Sequence, residues 1–123
     1  MSVNHTICWV DVPVSDLDRA IRFYAAVLGA EVKKETFGEM SFGLLPHADS
    51  HVSGCLTPMA DAKPSTDGPL VYFSVNGRLD AAIEAVRQHG GAILRDRHPI
   101  GPHGHRAIVK DTEGNRIALH SQT

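Results

Sequence analysis

Long apolar runs are missing from this chain. Stretches such as Ile7–Val10 and Ala25–Leu28 fall far short of the roughly 20 residues that a membrane span requires. The start, Met1-Ser2-Val3-Asn4, lacks the charged and apolar regions of a secretory leader, so a cytoplasmic protein without membrane contact is expected. Basic runs are missing too: none is longer than Lys33-Lys34, and the formal charge is −2. That balance argues against nucleic acid or another polyanion as a partner. Cysteine is scarce. Cys8 and Cys55 sit in apolar, strand-like runs with no paired spacing, which suits reduced, packed thiols in a reducing compartment.

What remains is an ordinary globular composition, 42% hydrophobic and 21% charged over 123 residues. A single domain of this length buries roughly two-thirds of its unfolded surface, so its core requires neither a disulfide nor a metal. The unusual count is eight histidines. Half-protonation of all of them would carry the net charge to roughly +2, so charge reversal near mild acid is expected. Each histidine is also a possible metal ligand or general base, to be weighed against a solvated or hydrogen-bonded side chain.

The chain repeats itself. Leu17-Asp18-Arg19-Ala20-Ile21 lies on Leu79-Asp80-Ala81-Ala82-Ile83 at an offset of 62, and without a gap Gly29-Ala30 falls on Gly91-Ala92. Alternating runs, Ile7–Val12 and Leu70–Val75, lead into the two helical patterns. Helix one starts at the Ser15/Asp16 cap, carries Leu17, Ala20, Ile21, Tyr24 and Leu28 on one face, and stops at Gly29. Helix two carries Leu79, Ala82, Ile83 and Val86 and ends at Gly90-Gly91. Three strand candidates follow each helix, near 31–36, 40–45 and 52–57, then 92–96, 105–110 and 115–120. Each half therefore reads β-α-β-β-β. Module one spans about 1–57 and module two about 70–123, with a Pro- and Asp-containing linker at about 58–69 between them. The fold class is α+β, two paired modules whose cupped sheets enclose a pocket. Neither half closes its own sheet, so the halves must pair within the chain, between chains, or both.

Strand parity selects the side chains that could meet a ligand, because the helices take the apolar partners. Cys8, Val10, Val12, Val71, Phe73, Val75, Ile117 and Leu119 fit the helix-facing side. Trp9, Asp11, Tyr72, Ser74, Arg116 and His120 then line the opposite, concave surface, which is the natural pocket. Trp9 could stack on a flat ligand or simply fill the pocket floor. Asp11 could act as a general base or as a hydrogen-bond acceptor. His103 and His105, two apart, would share a face of an extended backbone and could clamp an anion or a metal, although glycine and proline around them imply a bent loop. His5 and His120 share the concave parity of their strands, whereas His47, His51, His89 and His98 read as solvated.

The run Asp16-Leu17-Asp18-Arg19-Ala20-Ile21-Arg22-Phe23-Tyr24-Ala25-Ala26-Val27-Leu28-Gly29 resembles the helix signature of the vicinal oxygen chelate superfamily. That superfamily includes glyoxalase I, bleomycin-resistance proteins and extradiol dioxygenases. Asp111-Thr112-Glu113-Gly114-Asn115-Arg116-Ile117 resembles its closing hairpin. Coverage is nearly the full chain, and the Trp9–Pro13 start with Ile100–His105 looks like a small, single-domain, glyoxalase-related subgroup. In metal-dependent members the ligands come from the first and fourth strands of each module. The resemblance maps those positions onto Trp9, Cys55, Leu70 or Tyr72, and Ala118, of which only the cysteine is a plausible ligand.

The expected function is a homodimeric protein that binds a small, aromatic or partly polar molecule without a metal cofactor, with Trp9, Asp11, Cys55, Tyr72, His103, His105 and His120 as ligand-contacting residues. Its catalytic residues, if it has any, are unassigned. The alternative is a lyase or dioxygenase holding one divalent metal ion on displaced ligands, His5, His103, His105 and His120, where the ion would chelate vicinal oxygens of the substrate.

Overall fold

A computed structural model describes residues 6–48 and 51–123. His5, one of the displaced-ligand candidates, lies outside the described residues. Module one runs β1 (Val10–Val14), α1 (Leu17–Leu28), β2 (Lys33–Phe37), β3 (Met40–Leu44) and β4 (Gly54–Pro58). Module two runs β5 (Val71–Ser74), α2 (Leu79–Gln88), β6 (Ala92–Pro99), a short 3-10 turn (Gly101–His103), β7 (His105–Lys110) and β8 (Arg116–Ser121). The sheets have equivalent orders, β1-β4-β3-β2 and β5-β8-β7-β6. In each, the first strand lies parallel to the last and the others pair antiparallel, as two β-α-β-β-β units require.

Helix α1 has the ends that its sequence specifies. The Asp16 side chain accepts from the Arg19 backbone N–H, and Gly29 closes the helix in the left-handed region at φ 67°. A side chain at Gly29 would also meet the Arg78 guanidinium at 2.9 Å. Arg78 begins α2 and donates from Nη1 to the Val27 carbonyl at 2.6 Å, satisfying an orphan acceptor at the negative end of α1. The buried face of α1 is wider than the expected stripe, because Phe23 and Val27 are covered as well as Ala20 and Tyr24. The reason is that α1 packs on α2 as well as on its own sheet. All the apolar positions read for α2 are buried.

The closing hairpin of module two joins the modules. Asp111 Oδ1 accepts from the backbone N–H groups of Glu113, Gly114 and Asn115, which folds the turn. Its Oδ2 accepts from Tyr24 Oη of α1 at 2.6 Å. Asn115 Nδ2 donates to the Pro13 carbonyl in β1 at 2.8 Å. Glu113 accepts from the Ser15 and Asp16 backbones at the start of α1 and pairs with Arg19 at 2.8 Å. Tyr24 also packs on Phe23 and on Phe73 of β5, with ring centroids 5.2 and 5.4 Å apart. Module one and module two therefore share one core, with both helices on the same side of their sheets and the opposite faces open.

Candidate functional site on the open sheet faces

Parity holds where the strands are regular. Val12, Val14, Leu56, Ala107, Val109, Ile117 and Leu119 are buried against the helices. Their alternating neighbours, including Asp11, Cys55, Tyr72, Ser74, Arg106 and His120, take the open face.

On the first sheet, Asp11 sits directly across from Cys55 in the parallel β1–β4 ladder. Cys55 Sγ donates to Asp11 Oδ1 at 3.2 Å and lies 3.1 Å from Thr57 Oγ1. Burial pushes the Cys55 thiol upward and Asp11 adds to that, against the lowering effect of Thr57 and Trp9. The thiol is thus a hydrogen-bonded part of the floor rather than a free nucleophile. The expectation of two packed thiols holds for one of them: Cys55 is buried, whereas Cys8 is exposed because β1 begins only at Val10.

On the second sheet, Arg106 is the organising residue. Its Nη1 donates to Tyr72 Oη, and its Nε donates to His98 Nε2 at 2.9 Å. The other His98 ring nitrogen lies 2.8 Å from the Asp96 carbonyl, which fixes Nδ1 as the protonated one. His98 is thus an engaged side chain rather than a solvated one. His120 lies near Tyr72, with ring centroids 6.4 Å apart, and its Nε2 lies 2.7 Å from the His103 carbonyl.

The loop histidines do not share a face. His103 ends the 3-10 turn, and Gly104, at φ 91°, breaks the alternation. His105 enters β7 on the side of Ala107 and Val109, away from the open face, so it does not contact a ligand held there. His103 reaches the site only through its carbonyl.

Two clefts are each lined by residues of both β1 and β5. One of about 420 Å³ brings Trp9, Asp11 and Arg116 together with Lys63, Ser65 and Asp67 of the linker. The other, of about 370 Å³, holds Tyr72 and Ser74 among Val10, Val12, Val71 and Phe73. Of the residues read onto the concave surface, Asp11, Tyr72, Ser74, Arg116 and His120 lie on the open face, but the lining falls in two clefts rather than one. Sequence reasoning missed Arg106, Lys63 and Thr57; alternation with Ala107 and Val109 was the available signal for Arg106.

The donor set does not suit the metal centre of metal-dependent relatives. The positions that the resemblance assigns carry Trp9, Cys55, Tyr72 or Leu70, and Ala118, and in the β5–β8 ladder Tyr72 faces the methyl group of Ala118. Cys55 is engaged by Asp11 and Thr57. Among the described residues no three His, Cys, Asp or Glu side chains are grouped as a metal would need. His103, His105 and His120 do not converge either.

The family model described as the Glyoxalase/Bleomycin resistance protein/Dioxygenase superfamily matches residues 2–119. A glyoxylase-like domain-containing protein of Didymella fabae is 29% identical over 125 residues, covering 97% of this chain and 95% of that one. A protein of Mycobacterium bovis named as a glyoxylase is 27% identical over 110 residues, which is 89% of this chain but 41% of that longer one. The crystal structure of a glyoxalase/bleomycin resistance protein from Albidiferax ferrireducens superimposes with a TM-score of 0.74 at 19% identity, covering 97% of this chain and 100% of that one. The structural likeness bears on the fold alone, and it agrees with the paired modules described above. With its helix signature, its duplicated sheets and a family match over nearly its whole length, this chain belongs to the glyoxalase/bleomycin resistance/dioxygenase superfamily.

Proposed function

We propose that this chain binds a small, flat, aromatic or partly polar molecule on its open sheet faces without a chelated metal. The observation that carries the reading is the chemistry of the ligand positions: an indole, a thiol already hydrogen-bonded to Asp11, a phenol and a methyl group. These groups offer stacking surface and hydrogen bonds rather than a converging set of lone pairs. Trp9 supports it further, being 44% exposed and lining the larger cleft.

The active form on this reading is a homodimer. Phe37, Met40, Trp9 and Tyr72 are exposed apolar side chains, and a second copy laid on the open faces would enclose them and deepen the clefts. The unpaired thiols Cys8 and Cys55 suit a cytoplasmic setting.

The test is titration of aromatic compounds against the fluorescence of Trp9, the sole tryptophan, with and without a chelator. Saturable quenching that the chelator leaves unchanged is the expected result. Binding that disappears with the chelator and returns with a divalent ion would overturn the proposal.

A further inference from the structure

We infer that the ligand carries a carboxylate, or an anion of the same forked shape, and that Arg116 receives it. The inference rests on the small-molecule reading above and names the chemical class of the ligand.

Arg116 opens β8 on the open face and lines the same cleft as Trp9. Its Nε is buried and has no hydrogen-bond partner among the described residues. Its Nη2 makes only a 3.5 Å contact with the Gly68 carbonyl. Nε and Nη2 form one edge of the guanidinium, the edge that takes both oxygens of a carboxylate side by side. A buried donor without an acceptor is costly, so a fork left in this state is suited to an acceptor supplied from outside.

The charged groups of the cleft leave that fork available. Asp11 and Asp67 line it with Lys63, yet among the described residues no carboxylate pairs with Arg116 within 4.0 Å. Asp11 is already engaged as the acceptor for the Cys55 thiol.

The surrounding sheet has the same sign. Register places Arg95, Arg106 and Lys110 on the open face with Arg116, since Arg95 pairs with Ile108, Lys110 with Arg116, and Arg106 with His120. None of these cations has a carboxylate partner among the described residues, whereas Arg19, Lys33, Lys34, Arg87 and Arg97 all do. Arg95, Arg106, Lys110 and Arg116 thus put four cations without a carboxylate partner on one sheet face, which raises the local concentration of small anions. A flat acid would lay its ring against Trp9 and direct its carboxylate at Arg116.

The experiment compares 2-naphthoate with 2-naphthamide, two probes of nearly the same shape and different charge, by equilibrium dialysis at low salt and neutral pH. The wild-type protein is expected to bind the naphthoate about tenfold more tightly than the amide, the gain typical of a charge-assisted fork. Arg116→Gln should remove that preference while leaving the amide affinity within about twofold, and Arg116→Lys should restore only part of it. Retained amide binding also reports that each variant is folded. Equal affinity of the two probes for the wild type, or equal weakening of both by Arg116→Gln, would overturn the inference and leave the small-molecule reading intact. Failure of both probes to bind the wild type would contradict that reading and this inference together.

Discussion

Cys55 Sγ donates to Asp11 Oδ1 across 3.2 Å, tying the last strand of module one to the first at the floor of the site. The bond joins the one plausible ligand atom among the family positions to its nearest carboxylate. It also sets the reactivity of the thiol. Burial and Asp11 raise Cys55, so its alkylation by iodoacetamide should follow a midpoint above the ordinary thiol value of about 8.5. Exposed Cys8 should react first at neutral pH. Asp11→Asn removes the negative neighbour and should move the Cys55 midpoint down. A Cys55 midpoint below the ordinary thiol value would contradict this picture.

Glu113 gives the contact between modules a pH signature. Burial alone would raise this carboxyl, but bonds from Arg19, the Asp16 backbone, Thr112 and the Ser15 backbone outweigh it and hold the group at about 2, below its ordinary 4.5. Because the folded value is the lower one, the stabilisation is complete above about pH 4.5 and fades as pH falls towards 2. Glu113→Gln should therefore cost about 2–3 kcal/mol at pH 7 and little near pH 2. Urea unfolding at a series of pH values measures this. Parallel stability profiles for variant and wild type would refute it.

Both helices, the duplication and the open-face residues could be read from the sequence because their signals are local. Asp16 and Gly29 are capping residues at the right spacing, and alternation in β1, β5 and β8 is unbroken. The reading failed where the backbone departs from regularity. Gly104 turns His105 to the helix side, and two register shifts in the β6–β7 ladder bring His98 beside Arg106. The split into two clefts was also invisible, since it depends on the linker residues Lys63, Ser65 and Asp67 folding over β1 and β8. The roles of Asp111 and Glu113 depend on contacts with residues nearly a hundred positions away, which no local pattern reports.

The Tyr24–Asp111 bond is the buried link between the modules. Tyr24→Phe keeps the ring packing against Phe23 and Phe73 but leaves Asp111 Oδ2 with Asn115 as its remaining side-chain donor. The expected loss is about 1–3 kcal/mol by denaturant titration. Asp111→Ala also releases the turn from Glu113 to Asn115 and should cost more. Equal stability of the Phe variant and wild type would show that the bond contributes nothing.

Gly54 is required by the close approach of β1 and β4. A Cβ there would lie 2.2 Å from the Val10 carbonyl oxygen, a backbone atom that moves only if the strands separate. Gly54→Ala should therefore destabilise the fold by about 3 kcal/mol or more and shift Trp9 emission. Gly38→Ala, where nothing lies within 4 Å but φ is 63°, should cost only about 1 kcal/mol. Similar losses for the two variants in urea titrations would contradict the packing argument.

The central claim is that the open faces bind their ligand without a chelated metal. Elemental analysis tests it most directly, using untagged protein incubated with excess nickel, zinc, iron and manganese and then freed of unbound ions. The account predicts only traces of each element. Retention of about one ion per chain or per dimer would contradict it, because a tightly held ion needs converging ligands.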